Sequence, residues 1–130
     1  MKYIAIDLGL RRIGVACCVS KDLVIPLDAI QRKNRNQAAE EVDDILKKYE
    51  ADILVVGIPM GGSAQEEMQR RVNHFVSLLS FKGDVVLQDE SGTSVEAKEM
   101  LKGKIKQKRD GRIDSISAQI ILQRFLQTVL

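Results

Sequence analysis

With 130 residues and 45% apolar side chains, the chain has the length of one domain, 1–130, and material for one core. Aromatics at 4% are too few for a protein that reads unpaired bases mainly by stacking, and no apolar run approaches the ~18 residues of a membrane span. The net charge of +2 is small, but its distribution is uneven.

YIAIDL (3–8) and the segment 12–19 alternate as strands around a short Gly-containing turn, which predicts a hairpin. This opening strand reaches a charge at Asp7, so it does not read as a secretory signal. Cys17 and Cys18 are adjacent, point to opposite faces of a strand and cannot readily pair; they read as small core residues of a reducing, cytoplasmic compartment. LVIPLDAIQ (23–31) predicts a third strand, which Pro26 assigns to a sheet edge or a bulge. From about Asn36 the period becomes helical, with Ala39, Val42, Ile45, Leu46 and Tyr49 on one stripe. DILVVGIP (52–59) is a continuous apolar run of the kind found in buried parallel strands.

A second amphipathic helix follows, with Met68, Val72, Phe75, Val76 and Leu79 facing inwards. DVVLQDE (84–90) predicts another strand, 93–101 a short helix, and the segment from Ile113 onwards the last helix. A meander followed by right-handed crossovers gives an α/β fold: a mixed five-stranded sheet, three strands antiparallel and two parallel, with helices on both faces. Ligands in such sheets bind beyond the carboxyl ends of the parallel strands. That rule brings Asp7, the loop 57–62 and Asp89–Glu90 to one rim.

Asp7 closes an apolar strand, where a desolvated carboxylate is costly unless paired or metal-bound. Gly9 beside it allows a phosphate or metal to come close to the backbone. Asp89 and Glu90 point to opposite faces of their strand, so one of them joins Asp7, and alternation alone does not say which. Asp114 shares a helical face with Ala118, Ile121 and Phe125, the positions that pack on the sheet, although Asp also favours helix N-termini as a cap. Three neighbouring carboxylates repel unless a cation intervenes. An all-oxygen set suits Mg²⁺ or Mn²⁺, and two such ions about 4 Å apart cleave phosphodiesters with a metal-activated water. Zinc is disfavoured, because His74 is the only histidine and the cysteines are adjacent. The basic run KGKIKQKRDGR (102–112), with Lys104, Lys106, Lys108 and Arg109, suits a phosphate backbone, and QRKNRN (31–36) forms a smaller basic group.

IAIDLGLRRIGVA, ILVVGIPMGGSA, VVLQDESGTSVEA and RIDSISAQIILQRFL resemble, in order, the four signature blocks of the YqgF family, and together they cover essentially the whole chain. Members of that family are described as Holliday-junction resolvases and as pre-16S rRNA nucleases. The resemblance implies a ribonuclease H-like fold, metal-dependent phosphodiester cleavage and a cytoplasmic location. It implies that the catalytic and metal-holding acids are Asp7, Glu90 and Asp114, and that Arg12 contacts phosphate. The chain departs from the family pattern at Ser91, where an arginine is usual, and in the shorter loop GIPMGGSA, which lacks the usual Asp.

The function expected is therefore a nuclease acting on structured RNA, maturing the 5′ end of pre-16S rRNA in ribosome biogenesis. A resolvase of four-way DNA junctions uses the same acids, and a two-fold homodimer would favour it. A non-catalytic RNA-binding assembly factor is a further alternative, motivated by the departures at Ser91 and Gly61–Gly62. DLGLRRIG also resembles the phosphate loop of actin-like ATPases and sugar kinases, but those require two such domains around a nucleotide.

Overall fold

A computed structural model describes residues 1–20, 23–62, 64–92, 95–97, 99 and 111–129. The basic residues Lys104, Lys106, Lys108 and Arg109 lie outside the described residues. Strands β1 (Tyr3–Leu8), β2 (Arg12–Ser20) and β3 (Leu23–Gln31) form an antiparallel meander. Helix α1 (Arg35–Lys48) then crosses to β4 (Ile53–Ile58), and α2 (Gln65–Ser77) crosses to β5 (Asp84–Asp89). Both later strands run parallel to β1, giving the order β3-β2-β1-β4-β5, and α3 (Arg112–Val129) closes the fold.

The mixed sheet follows from the sequence pattern. β3, the strand holding Pro26, is an edge strand, where a missing amide donor is tolerated. Asn34 caps α1 in an extended conformation (φ −157°), and its side chain exchanges hydrogen bonds with Gln37 in a capping box. A helical turn at 95–97 agrees with the helix expected after β5, the remainder of which falls partly outside the described residues.

Alternation along β1 divides the interior into two cores. Ile4, Ile6 and Leu8 pack with Val42 and Leu46 of α1 and with Val72 and Phe75 of α2. On the other face Ala5 packs with Ala118, Ile121, Leu122 and Phe125 of α3. Cys17 belongs to the first core and Cys18 to the second, and both are free thiols. Burying each large aliphatic side chain contributes about 1.5–3 kcal/mol, so both faces of β1 help to fix its position. This central strand ends at the rim, with Asp7 on the α3 face.

Candidate active site

Two strand glycines bring the acids together. Asp7 lies opposite Gly14 in the β1–β2 ladder, and the first turn of α3 rests directly on Gly14. A Cβ at position 14 would stand 1.9 Å from the Asp114 carbonyl oxygen and 2.8 Å from the Ser115 nitrogen. The Val15 amide donates to Ser115 Oγ (3.2 Å) where the β2–β3 register shifts, so a ladder irregularity is used to anchor the helix. On the other side of β1, a Cβ at Gly57 of β4 would meet Ile121 Cδ1 at 2.4 Å and Glu90 Cβ at 3.1 Å. The helix therefore sits low over β2, β1 and β4, and Asp114 reaches the neighbourhood of Asp7.

The Asp7 carboxyl, half-buried, is pushed up to about 8. Burial is the largest cause, followed by its hydrogen bond with Glu90 and by the negative charges of Glu90 and Asp114. Without a cation, Asp7 is thus mostly protonated at neutral pH and donates its O–H to the Glu90 carboxylate. Asp114 is compensated differently, by an ion pair from Arg12 Nε to its Oδ2 at 2.8 Å. Asp89 is turned to another task. Its carboxylate accepts from the Ser91 amide (2.9 Å) and hydroxyl (2.7 Å), which hold it below the usual carboxylate range and tighten the turn after β5.

Glu90 extends the β5 ladder by one residue, its amide donating to the Ile58 carbonyl at 2.9 Å. Arg124 of α3 braces the same turn, donating to the Ser91 carbonyl (2.8 Å) and pairing with Glu96 (3.0 Å). The helix that carries Asp114 thus also holds the segment that carries Glu90. The Asp7 carboxyl hydrogen-bonds to Glu90, and Arg12 pairs with Asp114, so each acid is compensated by a group that a cation could replace. Among the described residues, no three His, Cys, Asp or Glu side chains are spaced as a metal centre requires. The donor chemistry nevertheless fits a hard divalent ion: all-oxygen ligands, a crowded pair and a third acid close enough to perturb it.

The family model described as "RuvX: Holliday junction resolvase" matches residues 1–128. The chain belongs to the RuvX family. Its relatives include a protein of Sulfurimonas denitrificans named "Putative pre-16S rRNA nuclease", 61% identical over 127 residues, or 98% of each chain. A Campylobacter lari protein of the same name is 51% identical, over 96% of this chain and 97% of that one. Among solved structures, T. thermophilus RuvC in complex with Holliday junction substrate superposes with TM-score 0.58 at 10% identity, over 98% of this chain and 96% of that one. The fowlpox virus Holliday junction resolvase gives 0.56 at 12% identity, over the full length of both. At such identities the likeness is one of fold, and it confirms the ribonuclease H-like architecture.

In this RuvX-family chain, Glu90 is the member of the Asp-Glu pair whose side chain hydrogen-bonds to Asp7. Arg12 is engaged with Asp114 instead of standing ready for a phosphate. Gly9 serves its own turn: its amide lies 3.1 Å from both the Asp7 and the Arg12 carbonyls, and its carbonyl accepts from Arg32 Nη1 at 2.6 Å. His74 is exposed on α2. Sequence reasoning missed Gly14 and Arg124, whereas small Ser115 beside Asp114 was already a sign of a helix brought close to the sheet. The signal for Gly14 was a glycine inside an otherwise apolar strand, a mark of close backbone approach.

Proposed function

We propose that this chain is a divalent-metal-dependent nuclease of structured RNA that matures the 5′ end of pre-16S rRNA, with Asp7, Glu90 and Asp114 as its catalytic acids. The observation that carries the reading is the gathering of acids from three separate segments at the end of β1, where burial first, and then Glu90 and Asp114, hold Asp7 protonated near neutral pH. A fold does not evolve such repulsion for stability, and perturbed carboxylates in a cleft mark functional sites. The names of the relatives supply the substrate class.

When bound, Mg²⁺ or Mn²⁺ supplies an activated water and stabilises the leaving oxygen. The chain's own residues do the remainder. Asp7 and Glu90 would hold the ion as a pair of carboxylates, with the Asp7 proton released to solvent as the ion enters. Asp114, held on the first turn of α3, completes the set from the opposite wall. Arg12 contacts a phosphate by exchanging its present partner Asp114, which couples substrate contact to release of the third acid. The basic run 102–112 adds sequence-independent grip on the backbone.

A second reading, resolution of four-way DNA junctions, is favoured by the family description and by the junction-bound structure that shares the fold. The test is cleavage of a precursor 16S leader against a four-way DNA junction, with Mg²⁺ or Mn²⁺, by the wild type and by Asp114→Asn. Cleavage of the leader by the wild type, lost at least a hundredfold in the variant, is expected. Cleavage of the junction alone selects the second reading. If neither substrate is cut, or the variant cuts as well as the wild type, the assignment is wrong.

A further inference from the structure

On the face of the sheet away from the carboxylates, beneath Leu8, a cavity of about 350 Å³ opens between the end of β1, the start of α1 and α2. Its walls hold Arg32, Arg35, Arg70, Arg71 and His74 against a single acid, Glu67. Leu8 and Phe75 line it, and Leu10, 76% exposed, stands at its mouth. Arg32 lies over the Phe75 ring, 5.8 Å from its centroid, while its Nη1 donates to the Gly9 carbonyl. Among the described residues the ion pairs are Lys2–Glu50, Arg12–Asp114 and Arg124–Glu96, so none of the four cavity arginines has a carboxylate partner. Burial, and the charges of Arg71 and Arg35, push the Arg32 guanidinium below its ordinary value.

Four guanidinium groups around one cavity, with one acid between them, repel each other until an anion enters. We propose that this cavity is a second phosphate-binding site, which grips a phosphate of the bound nucleic-acid strand on the side of the sheet opposite the carboxylates. The proposal rests on the reading of the chain as a nucleic-acid-binding protein. Planar guanidinium forks suit phosphate oxygens, and the apolar lining suits the face of a sugar or base beside them. A backbone phosphate fits better than a small free anion. The arginines come from two stretches, 32–35 and 70–71, along an open cavity, and Arg32 ties its wall to Gly9, in the turn between Asp7 and Arg12. A strand seated there continues over the rim towards the acids.

Arg35 and Arg70 are exposed, and Arg32 is left untouched because it also supports the Gly9 turn. Binding of a fluorescent structured RNA is measured in EDTA, so that nothing is cut, between 50 and 200 mM salt, roughly the range over which phosphate contacts are resolved. The double variant Arg35→Ala/Arg70→Ala is expected to bind about three- to tenfold more weakly, with the slope of log K against log salt reduced by roughly 0.7–0.9, one phosphate's share. Arg35→Lys/Arg70→Lys is expected to keep most of the slope, because it keeps the charge. Thermal melts of both variants within a degree or so of the wild type exclude a folding effect.

An unchanged slope with affinity within about twofold overturns the proposal. So does saturation of the cavity by inorganic phosphate or a nucleoside monophosphate, seen by NMR at the arginine side chains, if RNA affinity is indifferent to the alanine pair. A chain that loses slope in the variant yet never cleaves RNA or DNA keeps this site and loses the nuclease reading. A chain that cleaves with an unaltered slope keeps the nuclease reading and loses this site. Absence of binding to both RNA and four-way DNA removes both.

Discussion

Asp7 carries a pH dependence that can be measured without any substrate. Its folded value, about 8, lies above the 3.8 of the free side chain. Between these values the native state holds a proton that the unfolded chain has released. Stability of the metal-free protein is therefore fully present below about pH 4 and falls as pH rises towards 8, by at most about 1.4 kcal/mol per pH unit. Asp7→Asn removes the titrating group, so its stability in urea should vary much less between pH 5 and pH 8. Parallel pH profiles for the two proteins would refute this account. That Asp7 is a candidate site residue was legible from an apolar strand ending in a charge. Its protonation was not, because desolvation and the Glu90 hydrogen bond depend on what packs above the strand. Asp114 was ambiguous for a different reason: an acid in the first turn of a helix is ordinary, and only its contact with Arg12 shows which wall it faces.

The strands and helices were legible because each follows its own period, and Gly, Pro and Asn mark their ends. What joins them was not. A glycine inside β2 reads locally as a weak point in a strand, and nothing near it in sequence says that α3 will rest on it. Gly14→Ala is the sharpest test of this contact. The new methyl group meets helix backbone, which cannot rotate away as a side chain can, so α3 must lift. A loss of about 1–3 kcal/mol is expected by chemical denaturation, with cleavage reduced more than tenfold as Asp114 recedes from Asp7. Retention of full activity at wild-type stability would mean that the helix N-terminus is not held where the acids require it. Arg124 makes the same element answerable for Glu90, so displacement of α3 disturbs two acids at once.

Across the whole molecule, the mixed sheet with helices on both faces followed from the meander and the handedness of the crossovers. The arginine cavity did not, since its walls come from segments far apart in sequence. A cation that neutralises the acids binds the native state only, so it stabilises the entire chain, by about 2.7 kcal/mol at a free concentration a hundred times its Kd. Mg²⁺ or Mn²⁺ should raise the melting temperature by several degrees, EDTA should reverse the gain, and Asp7→Asn should abolish it. A variant that responds as the wild type does would place the ion elsewhere.

Asp7 and Leu8 are consecutive residues of the central strand, and they point to opposite faces of the sheet. A polynucleotide that touches the acids with one phosphate and the arginines with another must therefore fold over the edge of the sheet like a strap over a rail. A continuous double helix, stiff over ~150 base pairs, resists so tight a turn, whereas a bulge, a branch point or an unpaired joint makes it readily. Backbone geometry alone then discriminates among ligands without inspecting any base. A hinged duplex should outcompete a fully paired one of equal length and charge, and equal affinities would show that the two faces are never occupied together.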